Sequence, residues 1–191
     1  MTTRAITAAV IAAAIAVPAL AHAQIRTADK SFVSAGKIDI HLDAGAYEVR
    51  AAPDNHVRVT MSGNTRNASV DVTIAGTHAD VTVTNTSHSN FKCVIEVPKV
   101  SDVAIRLSAG DLKVAEIAGS KDIETTAGDV KIAAGDPDSY SKVDASVRIG
   151  DLSAGPFGNT KGSFLSKSVN WSGKGTHTLR AKLGVGDLKL D

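Results

Sequence analysis

The chain has 191 residues with 21 basic and 20 acidic side chains, a formal net charge of +1, 43% hydrophobic residues and only 4% aromatic ones. The charges are interspersed, which argues against nucleic acid or anionic lipid as the main partner, because both select a basic patch. Cys93 is the single cysteine, so no intramolecular disulfide can form.

Residues 1–23 read as a secretory signal peptide. Arg4 is their only charge, the stretch from Ala5 to Leu20 is apolar and broken by Pro18, and Ala21-His22-Ala23 offers small residues where a signal peptidase reads them. Cleavage is expected before Gln24. The apolar run is short for a membrane anchor, which needs about 20 uninterrupted residues, and no Cys follows it for lipid attachment. Removing residues 1–23 leaves 20 basic and 20 acidic side chains on 168 residues, with no transmembrane segment expected among them. That length fits one domain, residues 24–191, burying roughly 70% of its unfolded surface. An exported protein, periplasmic or at the cell surface, is the expectation.

After Gln24 the residues alternate with the two-residue period of strands, and no run has helical spacing. Ile38, Ile40 and Leu42 share a face, as do Tyr47, Val49 and Ala51. Val57, Val59 and Met61 follow, then Val70, Val72 and Ile74, then Val81 and Val83. Breakers at Asp43-Ala44-Gly45, Pro53-Asp54-Asn55, Ser62-Gly63-Asn64 and Gly76-Thr77 separate these runs. Phe91, Cys93, Ile95 and Val97 form another face that Pro98 closes, which makes Cys93 a buried apolar thiol. Val103, Ile105 and Leu107 lead into the second half. The expected fold is all-β.

One phrase recurs five times: Ala44–Val49, Ala109–Val114, Ala127–Ile132, Ile149–Ala154 and Val185–Leu190. Each has a glycine (Gly45, Gly110, Gly128, Gly150, Gly186), in four cases followed by an aspartate (Asp111, Asp129, Asp151, Asp187), and then an apolar-x-apolar run. This is a structural turn feeding a short strand, repeated as in a stack of β coils. Glycine allows a corner with positive φ or a close backbone approach, and aspartate can accept N–H groups that lose their ladder partner there. Alternation points Leu112 and Val114 inward with Asp111 and Lys113 outward, and likewise in the other copies. Stacking would then align a column of Asp beside a column of Lys, interrupted by Ser153, each offsetting the other's repulsion. The Gly-Asp glycines are spaced by 18, 22 and 36 residues. The last step could hold two turns, with Gly155 to Lys174 as a degenerate middle one. A short β-solenoid with a more sheet-like amino-terminal part is therefore expected.

The extended segment Val94-Ile95-Glu96-Val97-Pro98, then Leu107-Ser108-Ala109-Gly110-Asp111-Leu112, the further Gly-Asp units and the closing Trp171-Ser172-Gly173-Lys174-Gly175 and Leu179-Arg180-Ala181 resemble the bacterial putative-adhesin family of unknown function. The resemblance covers roughly residues 36–191 and implies an exported, β-solenoid-like, autotransporter-head-like protein with no catalytic residues to transfer.

Gly184-Val185-Gly186-Asp187-Leu188 has the form of a calcium-binding nonapeptide turn, but the tandem nine-residue period is missing, so corner turns are expected instead of ion sites. His41, His56, His78, His88 and His177 form no H-E-x-x-H or comparable close pair, so no metal is predicted. No G-x-S-x-G elbow occurs. A carbohydrate-active enzyme or glycan-binding protein on a β-helix scaffold is the alternative class, but it would want clustered carboxylates and stacking aromatics. Phe32, Tyr47, Phe91, Tyr140, Phe157, Phe164 and Trp171 are the aromatics after cleavage. Trp171, flanked by Asn170 and Ser172, is expected at a turn that caps the hydrophobic column, with a partner contact as its other role. The residues thus predict a non-catalytic structural or adhesion-like protein with no cofactor. Its partner would be an envelope polymer, a surface or another protein, with self-association through exposed strand edges.

Overall fold

The computed structural model describes residues 26–87, 90–163 and 165–191; the expected signal segment 1–23, His88 and Phe164 lie outside them. In chain order the strands are β1 (Arg26–Ser31), β2 (Gly36–Leu42), β3 (Gly45–Ala52), β4 (His56–Gly63), β5 (Ser69–Ala75), β6 (His78–Thr84), β7 (Phe91–Pro98), β8 (Ser101–Val114), β9 (Lys121–Ala127) and β10 (Val130–Ile132). They continue as β11 (Tyr140–Ile149), β12 (Leu152–Ala154), β13 (Lys161–Ser163), β14 (Ser166–Ser172), β15 (His177–Val185) and β16 (Leu188–Leu190). Two single-turn 3₁₀ segments, Pro137–Ser139 and Gly155–Phe157, are the only helical pieces among the described residues.

The strands form two faces that enclose one core. On the first face the order is β1-β4-β7-β3-β8-β10-β16-β12, and on the second it is β5-β6-β2-β8-β9-β15-β11-β14-β13. Strand β8 belongs to both, bending at Gly110. Five coils (β2–β3, β8, β9–β10, β15–β16 and β11–β12) each run along the second face, turn at a glycine and cross to the first. All are parallel to their neighbours. Strands β6 and β7 add a sixth parallel layer, while β4 and β5 at one end and β14 at the other run antiparallel. The architecture is an all-β, solenoid-like stack that does not close into a barrel.

Alternation decides what goes inside. Ile38, Ile40, Val49, Val59, Met61, Ile95, Ile105, Ile123, Val143 and Leu179 are buried in a single cluster, with Phe91 and Cys93 beside them. Each fully buried aliphatic side chain stabilises the stack by about 1.5–3 kcal/mol.

The coil order differs from sequence order. The coil β15–β16 inserts between β9–β10 and β11–β12, so the last Gly-Asp unit stacks between the second and third. Residues 155–174 are accordingly no middle turn of the solenoid. They form a 3₁₀ turn, β13 and β14, and β14 lies antiparallel against β11 at the end of the second face. Antiparallel β14 leaves the chain pointing back so that β15 can run parallel to β11 through the slot beside it.

Lys121 sits at an inward position of β9, 2% exposed. Its ammonium donates to Ile117 O (2.6 Å), Gly119 O (3.2 Å) and Tyr140 Oη (2.7 Å), and Tyr140 donates onward to Ala134 O (2.8 Å). Three acceptors match the three protons of an ammonium. Burial lowers the Lys121 pKa to about 8, opposed by Glu116 and Asp102 nearby, and pushes Tyr140 up to about 12.

Candidate binding surface

The recurrent glycines stand in one ladder at the corner between the faces, in the spatial order Gly45, Gly110, Gly128, Gly186, Gly150. Four of them have φ between +118° and +134°. A Cβ on Gly110, Gly128, Gly186 or Gly150 would lie 1.9–2.0 Å from the carbonyl oxygen of the preceding rung. The corner therefore excludes any side chain, both by backbone conformation and by contact.

The aspartates after these glycines extend the ladder. Asp187 N–H donates to the carboxylate of Asp129 (3.2 Å), and Asp151 N–H to that of Asp187 (3.0 Å). Leu112, Val130 and Leu188 N–H groups donate to the Asp129, Asp187 and Asp151 carbonyls at 2.8–2.9 Å. Asp111 begins the exposed row. Two of the carboxylates so occupied by backbone are poorly placed as calcium ligands.

The Lys column exists, but its charge is offset elsewhere than expected. Across the first face the register runs Glu48, Lys113, Lys131, Lys189, Ser153. Lys113 pairs with Glu48 (3.2 Å), Lys131 and Lys189 both pair with Asp191 (3.0 and 2.7 Å), and Asp151 pairs with Lys167. Glu48 and Asp191 thus offset the column in place of the Asp row.

The second face carries the larger recess, a shallow groove of ≈900 Å³ lined by His41, Arg106, Glu124, Ser146, Arg148 and Lys182 among others. One transverse row, His41-Arg106-Glu124-Lys182-Ser146, crosses its floor, and a second, Asp39-Ala104-Asp122-Arg180-Asp144-Asn170, runs parallel to it outside the groove. Arg106 and Arg180 each pair with both Asp122 and Glu124, at 3.1–3.6 Å. Among the described residues Lys182 and Arg148 are in no ion pair, which leaves two cations facing the groove.

Trp171 lies in strand β14 and not at a turn. It is half-buried, opposite Val143 in register, and packs edge-on against Phe157 with ring centroids 5.4 Å apart. It covers the end of the core, as a capping residue does. Phe32, Tyr47, Phe91, Tyr140 and Phe157 are buried, so the described aromatics offer no exposed stacking platform.

Of the histidines, His41 faces the groove, His177 packs against Tyr140, and His56 bonds Asp29 through Nδ1 at 2.6 Å. His78 meets Asp39 and Asp80, each at 3.3 Å. Sequence spacing missed this cluster because Asp39 comes from another strand; the local signal was His78-x-Asp80 on one outward face. It also missed Lys121, a charge at an inward position.

No helix among the described residues is long and apolar enough to cross a membrane. No curated protein matches the chain. Among solved structures, a putative cell adhesion protein from Clostridium sporogenes ATCC 15579 superposes with a TM-score of 0.56 at 12% identity, over 88% of this chain and 99% of that one. A putative adhesin from Bacteroides fragilis NCTC 9343 matches at 13% identity over 88% of this chain and 97% of that one, with a TM-score of 0.28. The first of these shares the fold. The family description Toastrack DUF4097 matches residues 69–191, more than half of the chain, and takes in the corner ladder from Gly110 onward and the inserted last coil. The chain belongs to the Toastrack DUF4097 family.

Proposed function

We propose that this is an exported, non-catalytic, adhesion-like protein that presents the outer side of its second face to an acidic polymer of the cell envelope. Residues 1–23 act as its export signal and residues 24–191 as its single domain. The observation that carries the reading is the alignment of outward side chains in transverse rows, one residue per coil. Strands about 4.8 Å apart repeat each row at a fixed spacing, which suits many weak polar contacts along a repeating partner. Arg148 and Lys182 supply cations in no ion pair, while the mature chain's balanced charge gives no broad basic patch for nucleic acid. The fold shared with a putative cell adhesion protein supports the same reading. Buried aromatics speak against stacking on sugar rings, and Trp171 serves the core. The sheet orders end at β1 and β12 on the first face and at β5 and β13 on the second, and these edges are the places where self-association would occur.

Protease shaving of intact cells, with a carboxy-terminal tag as readout and lysed cells as control, tests the location. Loss of the tag from intact cells is expected for an adhesin, and protection until lysis sinks the surface role. Binding of the purified protein to isolated envelope polymer should fall in an Arg148→Glu/Lys182→Glu variant; undiminished binding removes the second face from the account.

A further inference from the structure

We propose that Asp39, His78 and Asp80 bind one divalent transition-metal ion on the outer side of the second face, with zinc the best match to their geometry. The site is separate from the groove and does not depend on the adhesive reading. Asp39 is on β2, and His78 and Asp80 are on its parallel neighbour β6, where Asp39 and Asp80 stand directly opposite. Like charges so placed repel. A dication between them would turn that repulsion into attraction.

The distances fit a metal better than a hydrogen bond. His78 Nε2 is 3.3 Å from Asp39 Oδ2 and 3.3 Å from Asp80 Oδ2, and all three donor atoms lie within 4.8 Å of one another. N–H···O bonds cluster near about 2.9 Å. Two donors about 2.0–2.1 Å from one tetrahedral zinc are about 3.3–3.4 Å apart. Two of the three edges are already at that length, and the third is within 4.8 Å.

The donor set narrows the ion. One imidazole nitrogen with two carboxylates suits zinc and its first-row neighbours, whereas magnesium and calcium prefer six or more oxygens. The side chains are partly open, at 23% for Asp39, 37% for His78 and 49% for Asp80. A fourth position therefore faces solvent, for water or for a donor atom of a partner. Lys37, 59% exposed with Nζ 3.2 Å from Asp39, balances one carboxylate in the absence of metal and is free to swing away.

Calorimetric titration of the purified protein with zinc chloride tests this. One saturable zinc per chain is expected, weakened at least about tenfold in His78→Ala and in Asp80→Asn, unchanged in His56→Ala, and not reproduced by magnesium. No saturable uptake, or equal affinity in His78→Ala, overturns the site. Imidazole ¹⁵N spectra of the unaltered protein give a readout that no variant's folding can confound. The His78 ring signals should move on zinc addition, and movement of another histidine in their place overturns the assignment.

Discussion

Gly186 and Gly128 meet backbone to backbone: a Cβ on Gly186 would lie 1.9 Å from the Gly128 carbonyl oxygen, although 58 residues separate the two in sequence. The same approach recurs at Gly110, Gly128 and Gly150, so the corner tolerates no side chain at these four positions. Gly128→Ala should destabilise the protein by about 3 kcal/mol or more, since it adds the clash with Gly110 O to a positive-φ penalty. Gly76, at φ +61° with open space around it, should lose only about 1–2 kcal/mol on the same change. Gly155→Ala, with open space and no positive φ, should stay within about 0.5 kcal/mol. Urea unfolding of the three variants checks the ranking.

Lys121 makes stability depend on pH in a definite direction. Its folded pKa of about 8 lies below the unfolded value of 10.5, so the fold disfavours the charged form. The cost is complete below pH 8 and is relieved as pH rises through 8 toward 10.5, for a gain of up to about 3 kcal/mol. Tyr140, raised to about 12 from 10.0, acts oppositely only above pH 10. Cys93, raised to about 12 from 9.0, opposes the gain from pH 9 upward. Denaturant midpoints should therefore rise between pH 8 and pH 9 and level off above it, and Lys121→Met should remove that rise.

Trp171→Ala should lower stability by about 2 kcal/mol, less than a fully buried Trp would lose, through its contacts with Phe157 and the core. Binding to envelope polymer should be unchanged where the variant is folded. A variant that keeps its thermal midpoint but loses binding would make Trp171 a contact residue.

Cys93 is 1% exposed, and burial pushes its thiol up to about 12. A thiol-specific reagent should leave it unmodified in the native protein and label it at the rate of global unfolding. Rapid labelling without denaturant would place Cys93 outside the core.

The corners were legible because their chemistry is local. A glycine, an acceptor side chain and alternating apolar residues say the same thing at each copy, and Leu112, Val130, Leu152 and Leu188 point inward as alternation requires. Coil order was not legible, since β15 has the same period as any other strand and its partners β9 and β11 are remote in sequence. The Lys121 site was hidden for a related reason. Ile117 O and Gly119 O lie close by in sequence, but only the fold brings Tyr140 Oη, 19 residues away, to the inward ammonium. Pairing across strands likewise assembled Asp39 with His78 and Asp80, and sent Lys131 and Lys189 to Asp191.

The rows of outward side chains depend on the inserted coil, so its position is the claim to test first. Two double-cysteine variants, Lys131→Cys/Lys189→Cys and Lys131→Cys/Ser153→Cys, can be oxidised in the folded protein. Lys131 is directly opposite Lys189, and Lys189 is opposite Ser153. The first pair is one strand apart, within the roughly 4.4–6.8 Å Cα separation a disulfide spans, and the second is two strands apart at about 10 Å. A disulfide in the first variant and none in the second is the predicted result. The reverse would put the coils in sequence order and dissolve the rows on which the binding surface rests.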